Sequence, residues 1–325
     1  MLSVVVPAYN EEENIAVAAQ RITRVLAGAG IDNEIIFVDD GSADSTWEKI
    51  TAESKKRENI KGISFSRNFG KEAAILAGLS ESRGECCAVL DCDLQHPPEK
   101  LVEMYALWEE GYEVVEGVKS DRGKEGFFYK AAAGLFYRLM SGFVKIDMMH
   151  SSDFKLLDRR AVDVIVEMPE HYSFFRALSA WVGFKTASVS FDVAGRNAGE
   201  TKWSKKGLVK YAFSNITSFS SAPMKLITFL GVVILVFSLV FGIISLVQKI
   251  CGVALGGFTT VILMLGFIGS IIMISLGIIG YYISRIYEEL KGRPRFIVSH
   301  RTQDAPEVFD KETCDGDGFY REGIS

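Results

Sequence analysis

Cysteine is scarce in this chain: five in 325 residues, at Cys86, Cys87, Cys92, Cys251 and Cys314. The number is odd and no Cys-x-x-Cys pair occurs, so a disulfide framework is a poor reading and reduced thiols in a cytosolic compartment a better one. Cys86 and Cys87 adjoin on an apolar run, which sends them to opposite faces of a strand. Basic charge is not in excess either. The formal net charge is −5, so no bulk positive field points to nucleic acid. The opening "MLSVVVPAYN" lacks a basic start and is too short an apolar run for a signal peptide. No Gly-x-Gly-x-x-Gly follows the first apolar run, which argues against a nicotinamide or flavin enzyme. Internal repeats and low-complexity segments are absent too.

The most telling absence is charge in the C-terminal third. Residues 226–247 and 250–284 contain no charged side chain, and the apolar core of the second stretch is 260–283. Hydrophobic residues make up 48% of the chain, and the mean hydropathy is +0.17. About 20 apolar residues cross a bilayer core as a helix, so each stretch is long enough. A Gly-rich loop, "CGVALGGF", separates them. Lys and Arg crowd the outer flanks (Arg196, Lys202, Lys205, Lys206, Lys210 and Lys225 before; Arg285, Lys291, Arg293, Arg295 and Arg301 after), while the connecting loop carries only Lys249. This bias predicts a helical hairpin with both flanks in the cytosol. The expected division is a cytosolic domain over 1–222, a transmembrane hairpin over 223–285 and a cytosolic tail over 286–325, with an acidic, weakly ordered end.

What is present upstream is a regular rhythm. Strand-like runs "LSVVVP", "EIIFVD", "IKGISFS", "CCAVLD" and "EVVEG" alternate with helix-like segments at 12–26, 45–57, 71–82 and 98–110. "SADST" offers N-caps, and Pro97-Pro98 suits a first helical turn. The alternation predicts an α/β domain, Rossmann-like, with a mostly parallel sheet covered by helices. Ligands in such sheets sit beyond the carboxyl ends of the strands. Polar clusters fall there four times: Pro7, Tyr9, Asn10 and Glu11 after the first strand; Asp39, Asp40 and Gly41 after the second; Arg67, Asn68, Gly70 and Lys71 after the third; and "DCDLQ" after the fourth. A single Asp-Asp-Gly is usually only a turn; four clusters at one edge read as a site.

Alternation along an extended chain puts Asp91, Asp93 and Gln95 on one side. Two carboxylates and an amide oxygen form a hard, oxygen-only set. It suits Mg²⁺ or Mn²⁺ with positions left for phosphate oxygens, and not zinc. The plainer alternative is a solvated acidic loop. His96 reads as a loop or supporting histidine, and Cys92 as packing.

"VVVPAYNEEENI", "IIFVDDGSADST", "SFSRNFGKEAAILAG" and "VLDCDLQHPPE" together resemble family 2 glycosyltransferases of the GT-A fold. "SSDFKLLDRRAVD", "RNAGETKWSKKGLVKYAFSNITSFSSAPMKL" and "YISRIYEELKGRPRFIV" narrow the likeness to polyprenyl-phosphate glycosyltransferases, the GtrB/ArnC group and, more distantly, dolichyl-phosphate mannose synthase. The likeness covers residues 2–298. It implies an inverting, metal-dependent transfer from a nucleotide-sugar to polyprenyl phosphate, by a multi-pass protein of the inner cell membrane with its catalytic domain on the cytoplasmic face. It implies that Asp40 contacts the nucleoside, with Pro7, Tyr9 and Glu11 lining that pocket, and that Asp91, Asp93 and Gln95 hold the metal on the diphosphate. Asp93 then counts with Asp153 as catalytic. Asp153 matches a position proposed as base, with positioning of sugar or acceptor as its alternative. Asp91 and Lys119 join the donor site; Arg122, Arg196 and Lys202 are candidates for the acceptor phosphate. Segments 126–145 and 208–224 read as interfacial. "ELKGRPRFIV" is a candidate for pairing with another subunit, a tetramer being the group's habit.

Three rivals were weighed. A processive polysaccharide synthase requires a QxxRW motif, and "RALSAW" is the nearest stretch. A GDP-mannose-using, dolichyl-type enzyme stays open, because the residues do not choose the sugar. A catalytically silent sugar-nucleotide sensor is disfavoured by the intact Asp91, Asp93 and Gln95.

Overall fold

The computed structural model describes residues 1–119, 152–170, 174–192, 222–252 and 257–302. Its framework is an eight-stranded sheet in the order β7-β5-β6-β4-β1-β2-β3-β8. The strands are β1 (Leu2–Ala8), β2 (Asn33–Asp39), β3 (Ile60–Phe65), β4 (Cys86–Val89), β5 (Val114–Lys119), β6 (Lys155–Asp158), β7 (Thr186–Phe191) and β8 (Val298–Arg301). β6 runs antiparallel to β4 and β5, and β8 runs antiparallel to β3; the other pairings are parallel. The expected mostly parallel, Rossmann-like sheet of a GT-A domain is therefore present, and the chain reverses only at β6 and β8.

β1 is central and buried along its whole length, so both of its faces must be covered. On one face Val4 and Val6 meet α1 (Ile15–Gly28), whose buried Ile15, Ala18, Ala19, Ile22 and Leu26 repeat at helical spacing. α2 (Thr46–Lys56) and α4 (Lys100–Glu109) pack on the same side through Ile50, Leu101 and Met104. On the other face Val5 meets α3 (Lys71–Glu81), α5 (Arg159–Glu167) and α6 (Phe175–Trp181). α3 lies close against β1: a Cβ on Gly78 would come within 2.2 Å of Val5 Cγ1. Cys86 joins the first core and Cys87 the second, as strand alternation requires, and both are free thiols.

Both uncharged stretches are helical, as α7 (Ala222–Ile250) and α8 (Phe258–Leu290). Among the described residues one segment, Met264–Leu290, is long and apolar enough to cross a membrane, with mean hydropathy 2.0. At 33 residues α8 is about 50 Å long, more than a bilayer core requires. It runs past the expected boundary at 285 into Glu288, Glu289 and Leu290.

After α8 the chain returns to the sheet and covers the free edge of β3. Phe296 stacks on Phe65 (centroids 5.1 Å), His300 on Trp47 (6.2 Å), and Gly62 N–H donates to Thr302 Oγ1 (2.9 Å). An uncovered edge strand invites pairing with other chains. Here the protein's own residues 296–302 fill that edge, so the stretch expected to meet another subunit is partly used within the chain.

Candidate active site

The carboxyl ends of β1 and β2 are laced together. Asn10 N–H donates to Ser42 Oγ (2.9 Å), Ala43 N–H to Asn10 Oδ1 (2.9 Å) and Glu11 N–H to Thr46 Oγ1 (2.9 Å). Asp39 is a structural acceptor for Ser42 N–H (3.0 Å) and Ser64 Oγ–H (2.8 Å). Asp40 accepts from Phe69 N–H (2.7 Å) and Gly70 N–H (2.9 Å), the two amides that precede α3. A carboxylate at a helix N-terminus satisfies amides that have no partner inside the helix. Asp40 is 3% exposed. Its burial, with Asp39 adjacent, lifts its pKa to about 6 against those two hydrogen bonds. Gly41 sits at φ +65°, and a Cβ there would lie 2.5 Å from the Arg67 carbonyl carbon, so only glycine lets the two loops meet.

The acidic stretch is a turn and not an extended strand. β4 stops at Val89; Leu94 takes φ +55°, and its N–H reaches Asp91 O (3.3 Å). Gln95 N–H donates to Asp93 Oδ1 (3.1 Å), an Asx turn. Two-residue alternation is thus not what gathers these groups; a turn after the strand does so. Cys92 is buried, and its thiol is pushed up by burial and by the charges of Glu11, Asp93 and Asp91, which brings Glu11 to the same place. Among the described residues no group of three or more His, Cys, Asp or Glu side chains is gathered as a ready metal cage. His96 lies flat against Phe154 (5.2 Å) and edge-on to Phe191 (5.2 Å). Its Nδ1 is 3.8 Å from Asp91 Oδ2 and, among the described residues, has no hydrogen-bond partner. Burial lowers the His96 pKa despite Asp91, so the ring is neutral at pH 7.

Lys71, the first residue of α3, joins this turn to the start of β6. Its Nζ is 2.6 Å from Asp91 Oδ1 and 2.7 Å from Asp153 Oδ2. Arg176 on α6 grips the same Asp153 with two nitrogens, Nε–Oδ1 at 2.6 Å and Nη2–Oδ2 at 2.9 Å. Burial works against the Asp153 carboxylate, but Lys71 and Arg176 outweigh it and hold its pKa well below the usual range. Burial likewise works against the Lys71 ammonium, and Asp91 and Asp153 more than offset it. Beneath this chain the fully buried Lys155 pairs with Glu116 and donates to Ser179 Oγ (2.7 Å).

Glu72 follows Lys71 and accepts from Phe175 N–H (2.8 Å), fixing the start of α6 and so the placement of Arg176. Burial first, then the Asp153 charge, raises its pKa to about 7. The folded state therefore holds the Glu72 proton more tightly than the unfolded chain, and stability is lost as pH rises from about 4.5 to about 7. Glu72→Gln keeps the acceptor for Phe175 without the charge. Relative to wild type, the variant is expected to gain on the order of 1–3 kcal/mol between pH 5 and pH 8. Thermal melts of both proteins across that range check this; a constant difference between them would contradict it.

Of the residues expected at the site, Asp91 and Asp153 are joined through Lys71, and Asp93 and Gln95 follow Asp91 in the same turn. Tyr9 projects from the end of β1 and is 39% exposed, whereas Pro7 is buried in that strand. Lys119 ends β5, close enough to His96 to oppose its protonation. Arg122, Arg196, Lys202 and segments 126–145 and 208–221 lie outside the described residues. Sequence reasoning named Lys71 only as part of a cluster and passed over Glu72, Arg176 and Lys155. The Lys71-Glu72 pair opening a helix was the available signal, because a lysine at a helix N-terminus faces a like-signed dipole and needs carboxylates elsewhere.

The chain has relatives along most of its length. It is 40% identical over 298 residues to an uncharacterized glycosyltransferase, YkcC, of Bacillus subtilis (strain 168), covering 91% of this chain and 92% of that one. It is 34% identical over 299 residues to a prophage bactoprenol glucosyl transferase homolog of Escherichia coli (strain K12), covering 91% and 98%. It is 33% identical over 304 residues to the SfII prophage-derived bactoprenol glucosyl transferase of Shigella flexneri, covering 92% and 98%. The profile described as glycosyl transferase family 2 matches residues 3–166, the span from β1 through α5 that carries the acidic turn and Asp153. The chain belongs to glycosyl transferase family 2, and it is a glycosyltransferase.

Proposed function

We propose that this protein transfers a sugar from a nucleotide-sugar, UDP-glucose or a similar donor, to polyprenyl phosphate, with inversion at C1. The acceptor in this reading is undecaprenyl phosphate, met at the cytoplasmic face of the cell membrane, and the product serves envelope glycosylation. The observation that carries it is a chain of ion pairs at one end of the sheet, from Asp91 of the acidic turn to Lys71, from Lys71 to Asp153, and from Asp153 to Arg176. This site belongs to a chain that also holds a helix apolar enough to cross a membrane. The bactoprenol glucosyl transferases among its relatives support the lipid acceptor.

In the reaction, an acceptor phosphate oxygen attacks C1 as the bond from C1 to the diphosphate oxygen breaks, and nucleoside diphosphate departs. Asp91, Asp93 and Gln95 are the residues that would hold Mg²⁺ or Mn²⁺. Their chemistry fits: hard oxygens from one turn, with Glu11 near and the unpartnered His96 Nδ1 behind Asp91. Once bound, that cation would neutralise charge on the leaving diphosphate. Lys71 and Arg176 supply positive charge where two phosphate groups would meet, and Lys119, Arg122, Arg196 and Lys202 are assigned to the same task. Tyr9 offers a flat wall to the nucleoside, with Pro7 and Glu11 beside it; Asp40 shapes that pocket through the loop it caps. A lipid monophosphate has a second pKa of about 6 and is mostly dianionic at neutral pH, so it attacks without a base. Asp153 accordingly anchors Lys71 and Arg176.

The proposed topology follows the charge bias: a cytosolic domain over 1–222, a two-helix hairpin over 223–285, and a cytosolic tail over 286–325 whose start returns to the sheet. Assembly as a homo-oligomer, a tetramer by family likeness, completes the reading. The test is incubation of purified protein with Mn²⁺, undecaprenyl phosphate and a panel of UDP- and GDP-sugars, with mass spectrometry of the lipid. One donor yielding glycosylated lipid supports the reading and names the sugar. Nucleotide binding without product from any donor would overturn it.

A further inference from the structure

The geometry points to Lys71 as an internal counter-ion that occupies Asp91 until a divalent cation displaces it. This rests on the metal reading of Asp91, Asp93 and Gln95 above. Lys71 Nζ is 2.6 Å from Asp91 Oδ1, one of the oxygens a metal would use. The ammonium also has a second place to go. Asp153 Oδ2 is 2.7 Å away on the opposite side, already held in position by Arg176. The Lys71 side chain is 42% exposed, so it has room to swing, whereas Asp153 at 7% does not. Its position at the first turn of α3 gives it no help from the helix, whose N-terminus repels a cation. The two carboxylates alone hold it there.

The arrangement has a use. Two carboxylates in one turn, partly desolvated and unneutralised, repel each other and chelate any stray cation. An ammonium shared between Asp91 and Asp153 offsets that charge. When a divalent cation binds, Lys71 shifts wholly to Asp153 and stands beside the donor diphosphate. Lys71 is thus a positioning residue that sets how tightly the metal binds. Asp153 sets where Lys71 goes once it is displaced.

The test is Mn²⁺ binding to the full-length protein in detergent micelles, without nucleotide, read from the electron paramagnetic resonance signal of free Mn²⁺. Lys71→Met is expected to bind Mn²⁺ about tenfold more tightly than wild type, because the competing charge is gone. Asp153→Asn is expected to bind it several-fold more weakly, because Lys71 is left with Asp91 alone. Opposite signs separate competition from damage, which weakens binding in both variants. Arg67→Met removes an exposed cation after β3 that has no assigned role and is expected to stay within about twofold. An equal gain there would assign the effect to the general field and overturn the inference. Unchanged or weaker binding in Lys71→Met, with wild-type binding still lost in Asp93→Asn, would also overturn it and leave the metal reading standing. Wild-type binding that ignores Asp93→Asn would overturn both. Should Asp153→Asn fail to fold, the Lys71→Met and Arg67→Met pair decides.

Discussion

Asp93→Ala is expected to lower glycosyl transfer by about 10³-fold or more while the protein melts within a few degrees of wild type. The two halves of this expectation come from different observations. Asp93 is partly exposed, and it accepts the Asx-turn bond from Gln95 N–H (3.1 Å). Loss of a turn bond of this kind costs about 1 kcal/mol. The activity loss is larger because the variant removes one of two carboxylates from the set proposed to meet the diphosphate. Negative charge grows on that leaving group as C1 changes partners, so a missing charge there acts on the transition state. Transfer assayed at saturating donor and acceptor, beside a thermal melt, checks both halves. Activity within tenfold of wild type would remove Asp93 from the metal set. A collapsed melt would show that the turn matters chiefly to folding.

Much of this site was legible in the sequence, and the reason is geometrical. Parallel strands deliver their carboxyl ends to one edge, so four polar clusters after four apolar runs had to converge once the βα rhythm was read. Cys86 and Cys87 fell on opposite faces because strand alternation is rigid. The same rule misled at Asp91 to Gln95. The strand stops two residues earlier, and positive φ at Leu94 makes a turn of the segment. The acidic residues still follow the end of β4, although the assumed extended backbone does not hold. Arg176 could not be found from pattern. It reaches Asp153 from 23 residues away, across a segment whose apolar spacing reads as ordinary core. β8 was hidden for a related reason. Four residues after a long helix carry no periodicity, and their place is set by the unpaired edge of β3.

Asp153→Asn is expected to lower the turnover rate by about 10²-fold and the thermal midpoint with it, while the pH–rate profile keeps its wild-type shape. Asp153 is nearly fully buried and is the shared partner of two cations. Removing one member of a buried ion pair costs about 3–5 kcal/mol, because the charges left behind keep their desolvation. Asparagine keeps the volume and one acceptor oxygen, so the loss falls below that of Asp153→Ala, which sets the upper end. The profile is the deciding readout. A carboxylate whose pKa lies well below the usual range stays ionised throughout the working pH, so its own titration cannot shape the rate. In the proposed reaction the acidic limb comes instead from the lipid phosphate, with its second pKa near 6, and the variant leaves that group untouched. A general base would behave otherwise. Its removal would leave the melt nearly unchanged and make the residual rate climb with hydroxide. Glu72 supplies an independent check: part of its raised pKa comes from the Asp153 charge, so in Asp153→Asn its titration shifts downward and the stability lost between pH 5 and pH 8 shrinks. A lower midpoint, a retained acidic limb and a flatter stability profile together define an anchor, because one lost charge then loosens Lys71 and Arg176 and relaxes Glu72.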